Sequence, residues 1–120
     1  MTVIDELRLA DVAACAELEK EMFAGDSPWP AAAFRAELKA PYNRYFAARD
    51  APGQSPIGYA GISILGPDGD TECEIHTIAV ALTRRGRGIG RELLDRMLAV
   101  AAKPDAPVIL EVRVDHDPAI

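Results

Sequence analysis

Leu82-Thr83-Arg84-Arg85-Gly86-Arg87-Gly88-Ile89-Gly90-Arg91-Glu92-Leu93-Leu94 is the stretch from which the rest of the chain can be read. Three glycines at alternate positions stand between an apolar run, Ile78-Ala79-Val80, and a helical pattern that begins near Ile89. Glycine at such a junction lets backbone amides turn toward a concave site with no Cβ in the way. The helix start adds unpaired N–H groups and the positive end of its dipole. Arg84, Arg85, Arg87 and Arg91 place four of the chain's 13 basic residues within eight positions. In a chain of net charge −6 that local reversal points to an anionic ligand rather than to a merely solvated basic turn.

Two common phosphate motifs are excluded. The dinucleotide fingerprint G-x-G-x-x-G fails because Arg91 stands where its third glycine belongs, and no Gly-Lys-Ser/Thr of a P-loop occurs. What remains is R-x-x-G-x-G, written here as Arg85-Gly86-Arg87-Gly88-Ile89-Gly90.

Working outward, the loop is flanked by a strand and a helix. The helix runs from about Ile89 to Ala102 and buries Leu93, Leu94, Met97, Leu98 and Ala101; Lys103-Pro104 ends it, and Val108–Val114 reads as a strand. Strand, helix, strand implies a right-handed crossover and a parallel pair. Upstream, Arg44–Arg49, Ile57–Leu65 and Thr71–Val80 read as strands separated by Asp50-Ala51-Pro52-Gly53 and Gly66-Pro67-Asp68-Gly69, an antiparallel meander. Val3–Leu9 alternates loosely as a first strand. Asp11 suits the N-cap of a helix reaching Phe23 with Val12, Cys15, Leu18 and Met22 as its apolar stripe. Pro30 opens a second helix that buries Phe34 and Leu38 and stops before Pro41. The expected fold is α/β: a mixed sheet, a meander and then one parallel strand, flanked by helices.

Composition bounds the function. At 120 residues the chain reads as one domain, 1–120, and 49% hydrophobic with 27% charged residues is ordinary for a globular protein. The acidic balance argues against direct nucleic-acid binding, which needs clustered Lys and Arg. Cys15 and Cys73 are too few for a disulfide scaffold and sit among apolar neighbours as core thiols. The N-terminus lacks the basic and apolar regions of a signal peptide, and no apolar run approaches the roughly 18 residues of a membrane span. A cytoplasmic protein with no membrane partner is the expectation.

The Ile78–Val80 run with the Arg85–Gly90 block resembles the acyl-coenzyme A signature of the GNAT N-acetyltransferase superfamily. Asp26-Ser27-Pro28-Trp29, Ile78–Leu94, Leu110-Glu111-Val112-Arg113 and Asp117-Pro118-Ala119-Ile120 extend the resemblance to bacterial RimI-like ribosomal protein alanine N-acetyltransferases. The resemblance implies acetyl-coenzyme A as cosubstrate and a protein N-terminus as acceptor. It implies that Ile78, Ala79 and Val80 pair like a strand with the pantetheine arm, one amide serving as an oxyanion hole. Arg85, Gly86, Arg87, Gly88, Ile89, Gly90 and Arg91 would then surround the pyrophosphate. It makes Glu111 the catalytic base. Glu74, where other branches of the superfamily place a base acting through water, is the competitor.

Period-two alternation puts Ile109, Glu111 and Arg113 on one strand face, and Glu74 on one face with Glu72, His76, Ile78 and Val80. His76 has an imidazole suited to proton transfer but reads first as a structural strand histidine, and neither histidine belongs to a metal-ligand cluster. At about pH 7.5 roughly a quarter to a third of α-amines are neutral, against about one lysine in a thousand, which favours an α-amine acceptor.

Two departures from the family pattern stand out. His116 occupies the position of an Asn that contacts the coenzyme, and the family's following helix with its acid tyrosine is absent from the 120 residues. The sequence therefore reads as a C-terminally shortened enzyme, and self-association through an open C-terminal sheet edge is expected. The rival functions are a small-molecule amine acetyltransferase and a coenzyme A-binding module without catalysis.

Overall fold

The computed structural model describes residues 2–25, 27–65, 72–101 and 108–113. Strands β1 (Val3–Glu6), β2 (Asn43–Arg49), β3 (Gly58–Leu65), β4 (Glu72–Val80) and β5 (Val108–Arg113) form one sheet in sequence order. The first four are antiparallel neighbours and β5 runs parallel to β4. Helices α1 (Val12–Met22) and α2 (Ala31–Lys39) precede the meander, and α3 (Ile89–Ala101) makes the crossover from β4 to β5. This is the expected mixed sheet. Thr71, Ala102, Val114 and the 66–69 turn of the sequence reading lie outside the described residues.

Both faces of the sheet are covered, and each helix is placed by its apolar stripe. On one face Phe46, Ala48, Ala60, Ile62, Cys73, Ile75, Ile78 and Val80 pack against Ile89, Leu93 and Met97 of α3. On the other, Tyr45, Ala47, Tyr59 and Ala79 pack against Val12 and Cys15 of α1 and Phe34 of α2. Phe34 is wholly buried, with edge-on contacts to Tyr59 and Trp29. Burial pushes the Cys15 thiol up to about 12, and Cys73 is buried beneath α3. Both are unpaired core thiols, as their neighbours in sequence suggested.

Three readings are corrected. Leu98 is 40% exposed, because α3 turns Leu93 and Met97 onto the sheet and Leu98, one position further round the helix, falls outside that stripe. Asp11 holds the N-cap position of α1 but makes no side-chain cap bond. Its carboxylate instead accepts the Arg8 amide at 2.8 Å and is clamped by Arg49. The strict alternation of β4 fails at His76. Gly61 lies opposite Thr77 but Ile62 lies opposite Ile75, so His76 is the extra residue of a β-bulge. After it the faces exchange: Glu74 is on the α1–α2 side with His76, whereas Ile78 and Val80 face α3.

Candidate active site

The bulge sits where β4 changes neighbours. Cys73, Glu74 and Ile75 lie opposite Val108, Ile109 and Leu110 of β5, and Thr77 lies opposite Arg113. Among the described residues the β5 ladder ends there. Ile78, Ala79 and Val80 remain paired to Ala60, Tyr59 and Gly58 of β3 on their other edge. Their second edge has no strand partner among the described residues, and an extended, peptide-like arm adds to a sheet at such an edge.

That edge runs directly into the glycine–arginine turn. After the short 3-10 turn Leu82–Arg84, Gly86 and Gly88 adopt φ of +81° and +78°, left-handed conformations that glycine enters without steric cost. An added Cβ would meet nothing within 4 Å at either position. The glycines are needed for the shape of the turn, not for room within the protein. α3 starts at Ile89, and its first-turn bond runs from the Glu92 amide to the Gly88 carbonyl at 3.0 Å. By helix geometry the amides just before Glu92 face outward at the positive end of the dipole. Val80, Arg84, Arg85, Gly86, Gly88, Ile89 and Gly90 line one concavity at this junction.

The four arginines divide in role. Arg84 pairs with Asp50 of the β2–β3 loop, and Arg91 reaches Asp95 one turn on at 3.3 Å, an exposed pair. Arg85 folds back so that its Nε donates to the Val80 carbonyl at 3.2 Å, tying turn to strand. Arg87 is exposed. Arg85 is half-buried and shapes the cradle as well as charging it.

Of the two carboxylates singled out, Glu74 is half-buried on the α1–α2 face, its Oε1 3.6 Å from Nε2 of His76. Glu111 lies in β5 between Leu110, opposite Ile75, and Arg113, opposite Thr77, where β5 carries one residue more than β4. The bases named from sequence thus fall at one level of the sheet, beside the bulge. The Glu111 side chain and His116 lie outside the described residues.

The cluster around His76 was not legible beforehand. His76 Nδ1 is 2.6 Å from Oε1 of Glu37 on α2, and the same oxygen accepts the Tyr45 hydroxyl at 2.6 Å. On its other side Nε2 contacts the Ser63 hydroxyl, which lies 2.8 Å from Oδ1 of Asn43. Asn43 Nδ2 closes the ring by donating to the Glu37 carbonyl at 3.0 Å. Burial, and then the Glu37 carboxylate, raise the Tyr45 phenol well above its ordinary value. The one local hint was Glu37's position three residues after Phe34, on the flank of the buried stripe of α2.

A buried carboxylate was also missed. Glu19 on α1 is 1% exposed, accepts the Trp29 amide at 3.1 Å and is hydrogen-bonded by Tyr59. It ties the segment after α1 to β3. No cluster of three metal-ligating side chains occurs among the described residues.

A parallel addition beside a bulged strand, a β4 edge beyond the bulge with no strand partner among the described residues, and a glycine–arginine turn onto a helix start are the features of an acyl-coenzyme A-binding acetyltransferase fold. Residues 12–120 match the acetyltransferase (GNAT) family, and the chain belongs to it; it is an N-acetyltransferase. It is 50% identical over 117 residues to N-alpha-acetyltransferase RimI of Mycobacterium tuberculosis, covering 98% of this chain and 72% of that protein. Among solved structures, a ribosomal-protein-alanine N-acetyltransferase from Brucella melitensis superposes with a TM-score of 0.72 at 22% identity, covering 98% of this chain and 84% of that one. A glucosamine N-acetyltransferase region of a fungal β-N-acetylglucosaminidase gives 0.80 at 20% identity, covering 92% of this chain and 13% of the larger one. At these identities the two structures attest the fold alone.

Proposed function

We propose that this chain transfers an acetyl group from acetyl-coenzyme A to the α-amine of a protein N-terminus in the cytoplasm, with the N-terminal alanine of a ribosomal protein as acceptor. The observation that carries the reading is the continuous path from the Ile78–Val80 edge, which has no strand partner among the described residues, into the Gly86–Arg91 turn and the start of α3. An extended arm with amide groups suits the edge, and a diphosphate suits amides at a helix start. The thioester supplies an activated acetyl carbonyl. The chain's own groups do the rest. Amides of the Ile78–Val80 segment hold the carbonyl oxygen, amides of Gly86–Arg91 with Arg87 and Arg91 hold the pyrophosphate, and a carboxylate, Glu111 or Glu74, accepts the amine proton. His116 is the further coenzyme contact.

An α-amine is the acceptor that this machinery serves best, because a carboxylate needs only to collect a proton from a nucleophile already partly neutral. The 50% identity to a protein named as an N-alpha-acetyltransferase supports the same choice. Turnover of acetyl-coenzyme A with an alanine-started ribosomal peptide, with spermidine and with an aminoglycoside tests it. The peptide is expected to be preferred. Preference for either small amine replaces the reading with small-molecule acetylation, and tight coenzyme binding without turnover on any acceptor makes the chain a binding module.

A further inference from the structure

The His76 cluster is wired in a direction that the sheet alone does not require. A carboxylate can only accept, so the Glu37 contact at 2.6 Å places a hydrogen on Nδ1 of His76. In the neutral ring Nε2 is then an acceptor. Ser63 has one hydroxyl hydrogen and two acceptors in reach, Nε2 and Asn43 Oδ1. Asn43 cannot turn its amide to relieve the competition, because Nδ2 is committed to the Glu37 carbonyl. A proton arriving at Nε2 resolves it: Nε2–H donates to Ser63, Ser63 donates to Asn43, and each of these contacts has a hydrogen. The resulting imidazolium lies between the carboxylates of Glu37 at 2.6 Å and Glu74 at 3.6 Å. The titratable groups facing the cluster are Glu37 from α2, Glu74 from β4 and, through Glu37, Tyr45 from β2.

We infer that His76 is the residue that takes up the proton released by the acceptor amine, received through Glu74. The inference rests on the acetyl-transfer reading. The amine lone pair forms the N–C bond, the C–S pair leaves on sulfur, and the amine N–H bond breaks with its proton passing to Glu74 and then, by way of a water bridging the 3.6 Å gap, to Nε2. Ser63 swings its hydrogen from Nε2 to Asn43 as the proton arrives. His76 lies two residues before Ile78, one step of the strand repeat from the Ile78–Val80 edge. Glu37 acts through the ring and is a positioning residue.

The test has two readouts on the full chain. In ¹⁵N-histidine spectra, assigned by loss of the signal in His76→Gln, the neutral ring is expected as the Nδ1–H tautomer, and Glu37→Gln is expected to lose that preference. In steady-state assays with an alanine-started peptide, His76→Gln is expected to lower kcat by about 100-fold. Its KM for acetyl-coenzyme A, its coenzyme affinity by calorimetry and its melting temperature should stay at parental values. Glu37→Gln is expected to lower kcat in the same direction. A folded, coenzyme-binding His76→Gln with parental kcat overturns the inference. Should that variant not fold, parental kcat in Glu37→Gln overturns it, as does a neutral ring protonated on Nε2. No transfer by the unsubstituted chain overturns the acetyl-transfer reading and this role together; transfer with unmoved kcat in the variants overturns this role alone.

Discussion

Arg49 and Asp11 meet through two parallel hydrogen bonds, Nη1 to Oδ1 at 2.8 Å and Nη2 to Oδ2 at 2.7 Å, with both side chains buried. The same guanidinium donates from Nε to Asp5 at 2.8 Å and from Nη1 to the Gln54 carbonyl at 2.8 Å. One residue of β2 thereby ties together β1, the start of α1 and the β2–β3 loop. The Arg49 hydrogen bond is the main influence holding the Asp11 carboxyl below its ordinary value of 3.8, and Asp11 raises the guanidinium in return.

Arg49→Met is expected to cost about 3–5 kcal/mol, since it leaves a buried carboxylate without its partner. The sign of the pH effect follows from the lowered carboxyl. The pair's contribution is complete above about pH 4, where Asp11 would be ionised even unfolded, and is lost as pH falls through the lower folded value. Urea melts at neutral pH and across the acid range check both. The parent should lose stability on acidification more steeply than Arg49→Met.

The glycine turn makes a prediction about binding rather than folding. Gly88→Ala places a Cβ at φ +78° in open space, so the cost is conformational, about 1–2 kcal/mol. The free loop relieves that strain by changing shape and must pay it back to hold a diphosphate. Coenzyme A affinity should fall by about 5- to 30-fold with the melting temperature little changed. Gly86→Ala should behave alike. Calorimetry on folded variants measures it, and unchanged affinity contradicts the cradle.

Gly61→Ala is expected to act at a distance. A Cβ at Gly61 would run into the ring of Tyr45, whose hydroxyl binds Glu37. Tyr45 is 4% exposed and has little room to withdraw, so the substitution should cost about 1–3 kcal/mol. It should also displace the Glu37 carboxylate from His76, lowering kcat more than it raises KM for acetyl-coenzyme A. A thermal melt and a steady-state assay on one preparation separate the two effects.

The two carboxylates make opposing predictions. Glu111→Gln should cut turnover by about 100-fold or more while leaving coenzyme affinity intact, if it is the base. Comparable loss in Glu74→Gln, with the same intact affinity, is expected if the proton travels through Glu74 to His76. Parental turnover in both variants would remove carboxylate catalysis from the account.

How much of this could be read beforehand depended on range in the chain. The strand–glycine turn–helix unit was legible because its signals are local: apolar Ile78–Val80, Gly86, Gly88 and a helical stripe at Leu93 and Met97 lie within one stretch. The mixed sheet followed from connection lengths. The bulge at His76 was not legible, since it is a mismatch in count between β3 and β4 that neither strand announces alone. The period-two reading therefore put Ile78 and Glu74 on one face. Glu19, Glu37 and Arg49 were equally hidden, because each charged side chain is held by partners on other elements, up to 44 residues away in sequence. Polarity predicts exposure until such a partner exists.

An α-nitrogen is the expected destination of the acetyl group. The most direct measurement is tandem mass spectrometry of a peptide with an N-terminal alanine and an internal lysine after incubation with the chain and acetyl-coenzyme A. One added acetyl group is expected, on the alanine nitrogen, formed fastest by the unsubstituted chain and slowed in His76→Gln and Glu74→Gln. An acetyl group on the lysine side chain, or an unmodified peptide with the thioester intact, would contradict it.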